Sequence, residues 1–219
     1  VDSFSNELIE VHAAPSAAAT SGDVVITANT GAIITTATAN DVAGFEYFEP
    51  SVITAVTPNV GQYNTKVVIS GERLLGDGTD LVSITLAGVA VKSTGEISDT
   101  EVNVVADASA AQNGDVLFVT DTGGRGTSVD GWSYGAEPSI LAVTPGSGNE
   151  GTEVSIYGVH LRAHGDSIST VSLAGTSATI VEQNDLFVTV NVLPADAGTG
   201  DVVLTSDSGA TVTAENGWE

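Results

Sequence analysis

The sequence predicts an all-β chain of β-sandwich modules arranged end to end. Three observations carry that expectation. First, a stretch recurs: Gly22-Asp23-Val24-Val25-Ile26-Thr27 returns as Gly114-Asp115-Val116-Leu117-Phe118-Val119-Thr120 and as Gly200-Asp201-Val202-Val203-Leu204-Thr205, each followed by a glycine-aromatic pair, Gly44-Phe45, Gly131-Trp132 and Gly217-Trp218. Second, the period is regular, since Gly114 to Gly200 and Gly131 to Gly217 are both 86 residues apart. That is the length of a compact all-β domain and too long for one turn of a solenoid. Third, short alternating runs such as Lys66-Val67-Val68-Ile69-Ser70 and Glu101-Val102-Asn103-Val104-Val105 are separated by Gly, Asp, Asn and Pro, the pattern of strands with one buried and one wet face. No segment reads as a helix.

The modules follow in order. Residues 1–49 read as the C-terminal part of one copy: Ser5-Asn6-Glu7-Leu8-Ile9-Glu10-Val11 resembles Asn184-Asp185-Leu186-Phe187-Val188-Thr189-Val190, and Pro15 stands where Pro194 stands. Residues 50–136 form a complete copy and 137–219 a second, complete or nearly so. Glu49-Pro50-Ser51-Val52-Ile53 matches Glu137-Pro138-Ser139-Ile140-Leu141, and Ala55-Val56-Thr57-Pro58 matches Ala142-Val143-Thr144-Pro145. Gly61, Thr65, Val67, Ile69 and Gly71 then pair with Gly148, Thr152, Val154, Ile156 and Gly158, and Leu86-Ala87-Gly88 answers Leu173-Ala174-Gly175. The joints are placed at Glu49-Pro50 and Glu137-Pro138. Proline fixes its own φ and restricts the residue before it, so these joints are expected to be short and stiff and the modules to stack as a rod.

Pro138, Ile140, Pro145, Gly148, Gly151, Thr152, Val154, Ile156, Gly158, Leu161, Leu173, Gly175, Gly200, Asp201 and Val202 together form an ordered pattern that resembles the IPT/TIG domain. The first full copy departs from it at Asn64, where the second has Gly151. The resemblance covers residues 50–219 well and 5–49 partially. It implies an immunoglobulin-like sandwich found in cell-surface receptors, bacterial surface proteins, polysaccharide-active enzymes and some transcription factors, so it bears on fold more than on function.

Composition narrows the function classes. Hydrophobic residues make up 42% but aromatics only 5%, so the cores are to be built from Val, Ile, Leu and Ala. Cysteine is absent, which leaves the redox compartment open. Five Lys plus Arg against 28 Asp plus Glu give a formal charge of -23, which repels nucleic-acid backbones and anionic lipid headgroups alike. No apolar run approaches the roughly 18 residues of a spanning helix, and residue 1 falls inside a repeat, so the chain reads as an excerpt.

Several residues invite a chemical reading. Phe45, Trp132 and Trp218 share one position; an aromatic platform for sugar is one use, but an aromatic recurring in every module is what a shared core requires, and they are expected to be core anchors. The acidic loop Gly76-Asp77-Gly78-Thr79-Asp80 offers Asp77 and Asp80 as Ca²⁺ ligands, with Asp99 or Asp107 nearby, although its counterpart His164-Gly165-Asp166-Ser167 has lost a carboxylate and a solvated turn is the plainer reading. Glu49 beside Asp41 and Glu137 beside Asp130 offer an alternative ion site at the joints. His160 and His164 leave a strand into a glycine-containing loop, where their spacing is not expected to bring the rings together. His12 lies in the partial copy, no Gly-x-Ser-x-Gly elbow exists, and no carboxylate pair has a cleft, so no enzyme is expected. Arg125, in Gly123-Gly124-Arg125-Gly126, reads as part of a hairpin and not of a phosphate cradle.

The expectation is a non-enzymatic structural segment of an extracellular or cell-surface repeat protein, forming a stalk, fibre or appendage. Its partners would be neighbouring modules of the same or an identical chain. The alternatives are an adhesin-type module binding glycan or a surface protein, with specificity in loops such as 76–80 and 164–167, and a filament subunit whose partial module is completed by a neighbouring chain. No cofactor beyond Ca²⁺ and no membrane insertion in this segment are expected.

Overall fold

The computed structural model describes residues 1–14, 16, 18–36 and 44–219, and divides the chain into two units, Val1–Ser51 and Val52–Glu219. Pro15 and Asp41 lie outside the described residues. The described residues contain strands, turns and bends and no helix, hence none long and apolar enough to cross a membrane.

The described residues of the first unit form three two-stranded antiparallel ribbons. β1 (Ser3–Phe4) pairs with β2 (Ile9–Glu10), β3 (Thr20–Gly22) with β6 (Phe45–Tyr47), and β4 (Val25–Thr27) with β5 (Ile33–Thr35). Gly22 stands opposite Phe45, the register that the later copies repeat as Gly114 opposite Trp132 and Gly200 opposite Trp218. The closing hairpin of the module is therefore present. No described residue of 1–51 is buried. Two-stranded ribbons offer no second layer to pack against. Phe45 consequently departs from the core-anchor expectation: it is 45% exposed, and its ring meets Tyr47 edge-on at 5.0 Å.

The second unit holds both full copies. In the first copy, β7 (Val52–Thr57), β8 (Val60–Gly61), β9 (Lys66–Glu72), β10 (Leu81–Leu86), β11 (Val89–Ala90), β12 (Ser93–Ile97), β13 (Glu101–Val105), β14 (Gln112–Thr120) and β15 (Arg125–Tyr134) form two sheets. Their orders are β11-β10-β14-β15-β8 and β12-β13-β9-β7. The second copy comprises β16 (Ser139–Thr144), β17 (Glu153–Val159), β18 (Ile168–Leu173), β19 (Thr176–Gln183), β20 (Phe187–Val192), β21 (Gly200–Ser206) and β22 (Thr211–Trp218). Here β19 runs unbroken and pairs with β18 on one side and β20 on the other, linking all seven strands, whereas the first copy divides the same course into β11 and β12. The Thr57-Pro58 and Thr144-Pro145 bonds are both cis.

Alternation along the strands sorts one face of each into the core. In the first copy Val67, Ile69, Val102, Val104, Val116, Phe118 and Trp132 form one cluster, and in the second Val154, Ile156, Val188, Val190, Val202, Leu204 and Trp218 form the matching one. Trp132 is 1% exposed and Trp218 6%, so both rings sit in their cores. Burying such rings and aliphatic chains is the main favourable term for modules of this size.

The recurring Gly-Asp-Val has a backbone explanation. A Cβ on Gly114 would lie 3.0 Å from the Ala87 Cα, and one on Gly200 2.8 Å from the Ala174 Cα, so the strand can pass the facing turn only as glycine. The aspartate that follows accepts from the amide of a left-handed residue in the last strand: Asp130 N–H to Asp115 Oδ1, and Asn216 N–H to Asp201 Oδ1, both at 2.9 Å. These motifs build the sandwich.

Tyr134 adds to the first core. Its ring meets Trp132 edge-on at 5.6 Å, and its hydroxyl is buried without a hydrogen-bond partner. Burial pushes the phenol up to about 12 from 10.0, with the Asp107 charge adding to it. A pKa raised in the folded state stabilises below the unfolded value, and that stability is lost as pH climbs through the folded one. The first module should keep its full stability below pH 10.0 and lose part of it between there and about 12, and Tyr134→Phe, which cannot ionise, should abolish that loss. Urea melts of the two proteins across this range, followed by tryptophan fluorescence, would read the difference.

Candidate functional site

Several hydrogen bonds cross the joint between the two full modules. The first module contributes the loop from β8 to β9. Thr65 folds it: its hydroxyl accepts from Gln62 N–H at 2.9 Å and donates to Gln62 O at 2.7 Å. Gln62 is itself buried, and its amide donates to Gly135 O at 2.6 Å and Ser109 O at 3.0 Å, which ties the loop to the exit of β15. Asn64 sits at the apex with φ 70, a left-handed conformation that asparagine tolerates better than other side chains. Lys92 Nζ donates to Asn64 Oδ1 and to the Tyr63 hydroxyl, each at 2.6 Å. That leaves the Asn64 amide nitrogen aimed outward.

The second module meets this loop with the hairpin between β21 and β22. Lys66 N–H donates to Ser208 O at 2.8 Å, Thr211 N–H to Tyr63 O at 3.3 Å, and Asn64 Nδ2 to Thr211 Oγ1 at 2.9 Å. Gly209, with φ +89, lets the two backbones approach: a Cβ there would lie 3.0 Å from Lys66 Cγ and 3.2 Å from Asn64 O. A further contact closes the joint, His164 Nε2 lying 2.8 Å from Ala136 O. The same ring fills the space over Gly135, where a Cβ would lie 2.2 Å from Nε2.

His160 and His164 differ from the expectation. Their rings stack with centroids 5.5 Å apart, because the chain leaving β17 coils tightly: His160, Ala163 and His164 all have positive φ, and Ala163 N–H donates to His160 O at 2.7 Å. His160 faces Asp185 at 3.3 Å while His164 faces the joint.

The acidic loop is ordered by its own hydrogen bonds. Asp121 accepts from Thr79 N–H and from the Thr79 hydroxyl at 2.8 Å, Asp80 Oδ1 from Leu81 N–H at 2.7 Å, and Asp99 Oδ1 from Leu75 N–H at 3.1 Å. The Thr79 hydroxyl and amide hold the Asp121 carboxyl below its ordinary range. The second module repeats the frame: Asp207 accepts from Asp166 and Ser167 amides and the Ser167 hydroxyl, and Asp185 Oδ1 from Arg162 N–H. Asp77 sits at φ 61 where the other copy has His164 at φ 69. Among the described residues no group of three or more His, Asp or Glu gathers to hold a metal ion. The carboxylates Asp80, Asp99 and Asp121 serve local amides and hydroxyls.

The joint's bonds thus fall on Tyr63, Asn64, Lys66, His164, Ser208 and Thr211, residues the sequence reading had not placed there. Glu137 is exposed and Pro138 half-buried in the connecting segment, and Asp130 gives its amide to Asp115. Glu49 and Pro50 are exposed in the first unit. The one sequence signal for the joint was Asn64 standing where the pattern has glycine.

Fold and joint together define a tandem of sandwich modules. The family model described as IPT/TIG domain matches residues 51–134 and 138–217, and the chain belongs to that family. As such it is a structural or binding module. Among curated proteins, Exocyst complex component 2 of Homo sapiens is 38% identical over 82 residues, 36% of this chain and 9% of that protein; the protein of the same name from Mus musculus is 37% identical over 82 residues. The chain therefore spans 9% of the length of the curated relatives it matches. Among solved structures, the Plexin A4 full extracellular region, domains 1 to 10, is 20% identical with a TM-score of 0.48, covering 76% of this chain and 15% of that one. SGBP-B from a complex xyloglucan utilization locus in Bacteroides uniformis is 18% identical with a TM-score of 0.33, covering 76% and 48%.

Replacing Asn64 separates its two roles. Asn64→Gly keeps the left-handed turn and deletes the bonds to Thr211 and Lys92, and should cost about 1–3 kcal/mol. Asn64→Ala deletes the same two bonds and adds left-handed strain of roughly 1–2 kcal/mol, so its melting point should lie below that of Asn64→Gly. Calorimetry of both variants beside the unaltered chain would show the order.

Proposed function

We propose that the chain is a non-enzymatic structural segment of an extracellular repeat protein, in which the joint fixes one module against the next within a stalk, fibre or cell-surface appendage. The observation that carries this reading is the bonded joint. Two backbone hydrogen bonds, one side-chain bond and the His164 contact cross between modules joined by only four residues, 135–138, between β15 and β16. Flexible tethers between independent domains lack such bonds. The high negative charge supports solubility in a salty exterior, where screening over about 10 Å weakens self-repulsion.

A second reading, a filament subunit whose partial module is completed by a neighbouring chain, is favoured by the first unit. Ile33 is 64% exposed and Ile34 67%, in a two-stranded ribbon whose edges pair with no other strand among the described residues. Such edges accept added strands.

Spin labels at exposed Val82 of the first full module and Val181 of the second provide the test. The structural reading predicts one narrow distance distribution that survives dilution; a broad distribution typical of a flexible tether would remove the basis for it.

A further inference from the structure

We propose that the second full module binds a neutral polysaccharide on the outward face of β16, β17, β20 and β19, with Tyr157 and Phe187 as the platform. The proposal does not rest on the joint. Across the two modules the inward positions of these strands match: Ile69 and Ile156, Val102 and Val188, and Val104 and Val190 are all buried. The outward positions differ. Thr54, Ser70, Glu72 and Glu101 of the first module stand where the second has Leu141, Tyr157, Val159 and Phe187. The registers fix these equivalences. Glu101 lies opposite Ser70 as Phe187 lies opposite Tyr157, and Thr54 and Leu141 are each the extra residue of a bulge in the edge strand.

The fold does not need the apolar set, since the first module builds the same sheet with polar residues in those places. There the face is tied to itself: the Thr54 hydroxyl donates to Ser70 O at 3.1 Å, and Asn103 Nδ2 to Glu101 Oε1 at 3.0 Å. The second module makes neither bond, having Leu141 for Thr54, and Thr189 and Phe187 for Asn103 and Glu101. Leu141 is 70% exposed and Tyr157 48%; Val159 is exposed and Phe187 half-buried. Contiguous exposed apolar side chains that the core does not require mark a binding surface.

The ligand class follows from what stands beside the rings. Tyr157 and Phe187 lie directly opposite each other on neighbouring strands, which run about 4.8 Å apart, so they form one apolar strip across the sheet. The next row of the same face is Thr144, Ser155, Thr189 and Glu182, and the row after it Glu153, Asn191 and Thr179. Among the described residues none of these side chains bonds to another group of the chain. A pyranose has the two matching sides: its C–H face is apolar and lies on an aromatic ring, while its hydroxyls both donate and accept. Charge selects further. The four strands contain Glu153 and Glu182 and no Lys or Arg, so an anionic polymer is repelled, whereas a neutral sugar hydroxyl donates to a carboxylate in a charge-assisted bond. A protein partner would have to cover these rows of hydroxyls and carboxylates, whereas the centres of protein interfaces are depleted of charge.

Affinity electrophoresis of the full chain provides the test, in native gels containing hydroxyethylcellulose, galactomannan or dextran, with polygalacturonate as the anionic comparison and mobility read against gels without polysaccharide. Tyr157→Ser and Phe187→Glu place in the second module what the first already has, so the sheet can form with them, and Val82→Ser alters a residue of the first module that is 70% exposed. At least one neutral polysaccharide should retard the unaltered chain and polygalacturonate should not. Tyr157→Ser and Phe187→Glu should each bind at least about tenfold more weakly, with Val82→Ser binding as the parent does. The proposal is overturned if no neutral polysaccharide retards the chain, or if Tyr157→Ser and Phe187→Glu are retarded as strongly as the parent. Sedimentation velocity of the same proteins reads the other occupant: self-association of the unaltered chain that Tyr157→Ser abolishes would assign the face to a second copy and overturn the proposal.

Discussion

Two backbone hydrogen bonds that cross between modules, Lys66 N–H to Ser208 O and Thr211 N–H to Tyr63 O, constrain everything else at the joint. Backbone groups cannot reach a neighbouring module from an ordinary surface loop unless both loops present them at the same depth. The left-handed turn at Asn64 does this on one side and Gly209 on the other, while Gln62 and Thr65 keep the first loop from fraying. Each such bond contributes only about 0.5–1.5 kcal/mol net. Their value to the molecule is geometric: several short contacts around four connecting residues define a single orientation, where one contact would define an axis of rotation.

Much of the fold was legible in the residues. The register of the closing hairpin could be read from Gly-Asp-Val and Gly-Trp, because a glycine forced by a facing backbone and an aspartate that caps a left-handed amide recur wherever that geometry recurs. The buried positions of Trp132 and Trp218 followed from the same recurrence. Phe45 broke the pattern because an aromatic is a core residue only where a second layer covers it, and periodicity along a strand carries no information about that layer. The stacking of His160 and His164 was hidden for a related reason: three residues with positive φ turn a spacing of four into a tight coil, and only one signal, the Gly165 that follows, stood in the sequence.

The contacts across the joint lie apart from the connection that the sequence marks at Glu137-Pro138. Proline marks where a connection is stiff along the backbone, so Glu137-Pro138 drew attention, yet the contacts are made by loops distant in sequence, Asn64 and Thr211 being 147 residues apart. Asn64 and Thr211, which bond across the joint, stand where the other copy has Gly151 and Arg125 inside an otherwise shared frame. The acidic loops show the same arrangement. Asp121 and Asp207 accept from the equivalent amides of Thr79 and Asp166, so the support is common to both modules, while His164, where the first module has Asp77, reaches Ala136 O at the joint.

Amide hydrogen exchange at Lys66 and Thr211 tests the central claim most directly, because each proton is donated across the joint and exchanges only when the joint opens. The account predicts that both amides are protected and exchange together, with one opening free energy well above that of the exposed loop 76–80. Exchange of both at unprotected loop rates, while Ile69 and Val102 in the adjoining core remain protected, would contradict it.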